Sequence, residues 1–92
     1  MTENIEALPT TVTLTGMLDK VVKTVYTVLP DTTTTVCQLF MKNGYVVIGT
    51  SACVDPNNFN KATGERIAYE NAINALWPLE GYLLAESRFI NL

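Results

Sequence analysis

The dipeptide Asn43-Gly44 sits between two runs rich in apolar and β-branched residues, 33–42 and 45–52. Asparagine and glycine both accept the positive φ angles of a type I′ turn, so this arrangement predicts a tight antiparallel hairpin at the centre of the chain. Counting outward from a two-residue loop pairs Lys42 with Tyr45, Met41 with Val46, Phe40 with Val47, Leu39 with Ile48 and Cys37 with Thr50. One hairpin face then carries Cys37, Leu39, Met41, Val46, Ile48 and Thr50, apolar enough to pack on a helix. The other carries Gln38, Phe40, Lys42, Tyr45, Val47 and Ser51, a mixed face suited to a partner subunit or a ligand.

The flanking segments complete an α+β pattern. Residues 21–29 are β-branched and alternate, which predicts a third strand ended by Pro30 and Asp31. Before it, Thr15 stands ahead of a short apolar pair and suits one or two helical turns, whereas residues 1–13 have no period and read as a loose arm. After the turn cluster Asp55-Pro56-Asn57-Asn58, residues Ala68, Ala72, Ala75, Leu76 and Leu79 recur at helical spacing with Ile73 beside them, which predicts a helix over 61–76. Pro78 lacks an N–H and crowds the preceding turn, so a kink or restart is expected there, with a further turn or two over 79–85. The expected architecture is a three-stranded antiparallel meander packed on a long C-terminal helix kinked near Pro78, with a short N-terminal helix.

Composition limits what such a fold can do. Ninety-two residues, 48% of them hydrophobic, close one modest core, so residues 1–92 read as a single domain whose thin stability margin favours self-association. The net charge is −3 and no basic run occurs, which argues against nucleic acid as a partner. No segment reaches the roughly 20 apolar residues of a membrane span, and the acidic N-terminus is unlike a signal peptide, so the expected place of action is the cytoplasm. Cys37 and Cys53 would stay reduced there and read as small packing residues.

The chain has no histidine. That removes Ser-His and Cys-His nucleophile pairs, histidine-ligated zinc and the usual base near neutral pH. It also lacks a glycine-rich phosphate loop and a Cys-x-x-Cys pair. The chain therefore reads as a non-enzyme, with no metal and no cofactor expected; Glu65, Glu70 and Glu80 are paired carboxylates that read as a solvated face before an acid-base site. Binding has better material. Lys42 and Arg66 are placed to hold phosphate, Tyr45 and Tyr69 to stack on a ring, and Asn57 and Asn58 to read polar edges. The same residues also have plain structural uses: asparagines before a helix cap it, Arg66 and Glu70 form an (i, i+4) pair, and Tyr69 packs.

The stretch Gly49-Thr-Ser-Ala-Cys-Val-Asp-Pro-Asn-Asn-Phe59, followed by Gly64, Ile67-Ala68, Glu70-Asn71-Ala72 and Leu76-Trp-Pro-Leu-Glu-Gly-Tyr-Leu-Leu84, resembles the N4/Sf6 phage family of small uncharacterised proteins of tailed phages and prophages. The similarity runs from about Val21 to Ala85. Thr50 departs from the acidic residue expected before Ser51.

The resemblance implies an accessory role in the infected bacterium. By analogy with small acidic phage proteins that counter host defence, two readings follow. In the first, a homo-oligomer sequesters a small nucleotide-derived signal through Lys42, Tyr45, Asn57, Asn58, Arg66 and Tyr69. In the second, an interaction module inhibits a host protein through the mixed hairpin face, without ligand or catalysis. Ser51, Cys53, Asp55 and Asn58 belong either to a binding site or to a turn that closes strand onto helix.

Overall fold

The computed structural model describes residues 11–91. The arm expected over residues 1–13 lies outside the described residues as far as Thr10; Val12 already packs against the core. Helix α1, Leu14–Leu18, is capped by Thr13, whose side-chain oxygen accepts the Gly16 N–H at 3.0 Å. The cap thus falls two residues ahead of the expected Thr15. Five residues do not hold a helix alone, and the fully buried Met17 ties this one to the core.

Three antiparallel strands follow in the order β1 (Val21–Val28), β2 (Thr34–Met41) and β3 (Val46–Ala52). The β1–β2 connection is a type II turn: Pro30 fixes its second position, Asp31 takes the third with φ 62°, and the Thr32 N–H donates to Leu29 O at 3.2 Å.

The β2–β3 hairpin differs from the expected one. Met41 N–H donates to Tyr45 O at 2.8 Å and Gly44 N–H to Met41 O at 2.9 Å. In the loop only Gly44 has positive φ, at 90°. This is a three-residue loop in which a left-handed glycine closes a type I turn, not a two-residue type I′ turn. Pairing therefore slips by one residue: Leu39 faces Val47, Cys37 faces Gly49 and Phe40 faces Val46. A slip of one turns every β3 side chain over. Val47 and Gly49 are buried beside Cys37, Leu39 and Met41, whereas Ile48, expected inside, is 55% exposed on the outer face with Gln38 and Phe40.

Pro56–Asn58 form one 3₁₀ turn leading into α2, Lys61–Ile90, a single helix that runs on through Pro78 without restarting. The proline costs the helix one backbone bond, which this length of regular helix absorbs. Asn60 caps it by accepting the Thr63 N–H at 3.0 Å. The inward stripe is Ala68, Ala72, Ile73 and Leu76; Ala75 and Leu79 lie outside it. Thirty helical residues span about 45 Å, against about 26 Å for an eight-residue strand. The second half of α2 consequently runs past the sheet, and the molecule measures 59 × 20 × 17 Å. Over the sheet, α2 crosses β3 and β2 and makes little or no contact with β1.

Candidate functional site

The hairpin loop, the start of β1 and the projecting half of α2 meet at one end of the molecule. Lys42 N–H donates to Lys20 O at 2.9 Å, which joins the loop to the residue entering β1. Lys20 reaches across to α2 and pairs with Glu80 at 2.7 Å, the carboxylate being largely shielded from solvent. Between these elements lies a groove of about 570 Å³ lined by Lys20, Lys42, Tyr45, Leu79, Glu80 and Leu83, with Met41 and Leu76 beneath. Asn43 Oδ1 accepts the Tyr45 N–H at 2.9 Å and so fixes the backbone that presents the tyrosine ring, which is 57% exposed.

Two other hollows fit a nucleotide-sized anion less well. The one holding Asn58, between the end of β3 and the start of α2, has about 180 Å³, below the roughly 300 Å³ at which small-molecule sites begin. The one beside the β1–β2 turn has about 650 Å³, but Asp31 is its only charged lining residue. Among the described residues, the hairpin-end groove combines adequate volume, an apolar floor, cations and an exposed ring.

The six residues singled out from sequence are thus dispersed. Lys42 and Tyr45 share the groove. Asn57 and Asn58 sit at the far end of the sheet, where Asp55 Oδ1 accepts the Asn57 N–H at 3.0 Å and Asp55 Oδ2 accepts from Asn58 Nδ2 at 3.3 Å. Arg66 pairs with Glu70 at 2.9 Å on an exposed helix face, an arrangement worth only tenths of a kcal/mol. Tyr69 is partly buried and packs against the core.

In the segment 51–59 the polar groups bond within the chain. Ser51 Oγ donates to Gly64 O at 2.7 Å, Thr33 Oγ1 donates to Cys53 O, and Cys53 Sγ donates to Asp55 O at 3.0 Å. The first bond ties β3 to the start of α2, the second ties the residue ahead of β2 to the one after β3, and the third lies within the turn. Among the described residues no group of three or more Cys, Asp or Glu is placed to hold a metal ion. No described helix is long and apolar enough to cross a membrane.

Lys20, Glu80, Leu79 and Leu83 line the groove, although the sequence marked none of them for binding: Leu79 read as part of the apolar stripe and Glu80 as a solvated carboxylate. Leu79 and Leu83 carry a faint signal, an (i, i+4) apolar pair after Pro78. The Lys20–Glu80 pair carries none, because the two residues are far apart in the chain.

A three-stranded meander crossed by one overlong helix, with an open groove at its hairpin end, defines a small α+β domain. The model of the phage protein (N4 Gp49/phage Sf6 gene 66) family matches residues 10–87, and the chain belongs to that family. No curated protein and no solved structure matches it significantly.

Proposed function

We propose that this phage protein acts in the infected bacterium as a homo-oligomeric binding protein that sequesters a small nucleotide-derived signal without catalysis, and that the ligand lies in the hairpin-end groove. The observation that carries this reading is the pairing of Lys42 and Tyr45 over an apolar floor in a space of about 570 Å³. A lysine ammonium offers three donors to phosphate oxygens. The exposed tyrosine ring offers a face for a base, and Met41 and Leu76 give the groove its apolar floor. Glu80 stays neutralised by Lys20, so its charge does not oppose an anion.

Titration calorimetry of the full chain with ADP-ribose and with cyclic dinucleotides tests the reading. Lys42→Ala removes a charge-assisted bond of about 1.5–3 kcal/mol and weakens binding roughly tenfold to a hundredfold. Tyr45→Ala removes a stacking platform of about 1–3 kcal/mol. Absence of heat with every ligand of both classes would remove the proposal.

A second reading rests on a different observation. On the projecting half of α2, Tyr82, Phe89 and Ile90 are each at least 70% exposed. Such a surface suits an inhibitory contact with a host protein. Tyr82→Glu with Phe89→Glu would abolish capture of that protein and leave calorimetric binding of small ligands unchanged.

A further inference from the structure

The two edges of the sheet are finished differently. At the β3 edge the helix crosses closely, and Asn71 Nδ2 donates to the outward carbonyl of Thr50 at 2.7 Å. At the β1 edge no described element packs on the strand as α2 packs on β3. The bond from Leu29 N–H to Thr34 O fixes the alternation along β1. Odd-numbered residues turn their backbone groups to β2, and Thr24, Tyr26 and Val28 turn theirs outward. Natural edges are blunted by charge, proline, a bulge or a covering element. Here a bulge between Val21 and Lys23 blunts only the start of the strand, and Lys23 is the only charge within it.

We infer that β1 pairs antiparallel with β1 of a second copy of this chain about a two-fold axis through Tyr26, joining two sheets into one of six strands. The register follows from the residues that face outward. With Tyr26 opposite its own copy, Thr24 falls opposite Val28, so the N–H and C=O of all three find partners in both chains. The even sum of paired numbers keeps like faces together, and both copies of α2 lie on the same side. The two Lys23 side chains stand about 20 Å apart, six residue steps of about 3.3 Å, so no like charges meet. The pairing also shelters Tyr26 and Val28, which lie on the helix side of the sheet and are still exposed there. A foreign strand would use the same groups, but a second copy meets them with a two-fold, self-complementary edge on which the outward groups of Thr24, Tyr26 and Val28 are paired in both chains and the Lys23 charges stay apart.

This pairing deepens the oligomeric part of the function proposed above and is independent of the ligand. Its test is sedimentation equilibrium of the full chain beside Tyr26→Pro and Tyr26→Thr. Proline at this position removes an outward N–H and no bond to β2, so Tyr26→Pro keeps the circular dichroism of the wild type and associates at least tenfold more weakly. Tyr26→Thr keeps the N–H and the dimer. A monomeric wild type overturns the inference, as does a Tyr26→Pro variant that associates like the wild type. If Tyr26→Pro fails to fold, amide exchange of the wild type decides: protection of the Thr24, Tyr26 and Val28 amides rises with protein concentration, and exchange independent of concentration is the overturning result. Calorimetry with ADP-ribose is read separately, so a monomer that binds contradicts the pairing alone.

Discussion

Gly49 of β3 lies so close under Ala72 of α2 that a β-carbon built on the glycine would stand 2.7 Å from the alanine Cα and nearer still to backbone atoms of Ala68 and Ala72. Real β-carbons do not approach other atoms so closely, and the obstacle is helix backbone, which cannot swing away. Helix and strand meet here because each presents its smallest residues, with Ala68 and Ala72 fully buried against the glycine. Gly49→Ala is expected to lower stability by at least about 1–3 kcal/mol through overpacking, read as a shift of the urea midpoint at constant slope. The same substitution at Gly81, where a β-carbon meets nothing within 4 Å, is expected to be neutral or stabilising.

That contact also explains which part of the hairpin could be read from the sequence. The turn itself was legible, because Asn43-Gly44 between two apolar runs fits few other structures. The register was not, since the same dipeptide serves a two-residue loop and a three-residue loop closed by a left-handed glycine. Packing decides between them: the two-residue register would turn Ile48 toward α2, where only the bare backbone of Gly49 allows Ala68 and Ala72 to approach. Likewise the inner face of α2 was legible as far as Leu76 from its spacing. Leu79 and Leu83 were not, because beyond the sheet they line a groove instead of a core, and residues distant in sequence complete it.

The loop geometry makes its own prediction. Gly44 has φ 90° and open space around it, so an added methyl group meets no neighbour and the cost is purely conformational. Gly44→Ala is expected to destabilise the protein by about 1 kcal/mol, measurable by thermal melting, whereas Gly44→Asn is expected to cost less because asparagine tolerates the left-handed region.

The two thiols are expected to behave differently. Burial pushes Cys37 above the ordinary thiol range, only partly offset by its hydrogen bond with Tyr26; burial, and then the Cys37 charge, push Tyr26 up as well. A folded value raised above the unfolded one means that the fold favours the protonated form. The associated stability is present below the unfolded thiol value of about 8.5 and is lost as pH rises through the folded value. Urea midpoints are expected to fall progressively above about pH 8.5, less steeply in Cys37→Ala. At neutral pH, Cys53, half-buried at the end of β3, reacts with a thiol reagent while Cys37 stays protected until unfolding. Equal rates for both would place Cys37 outside the core.

In the function proposed above, the Lys42 and Tyr45 groove of an oligomer takes up a nucleotide-derived ligand. Native mass spectrometry of the full chain, mixed in turn with ADP-ribose and cyclic dinucleotides, tests it most directly because it reads subunit number and bound mass together. A closed oligomer that gains ligand mass is expected, with the gain lost in Lys42→Ala and Tyr45→Ala while the subunit number is kept. A bare monomer, or an oligomer whose ligand mass survives both substitutions, would contradict it.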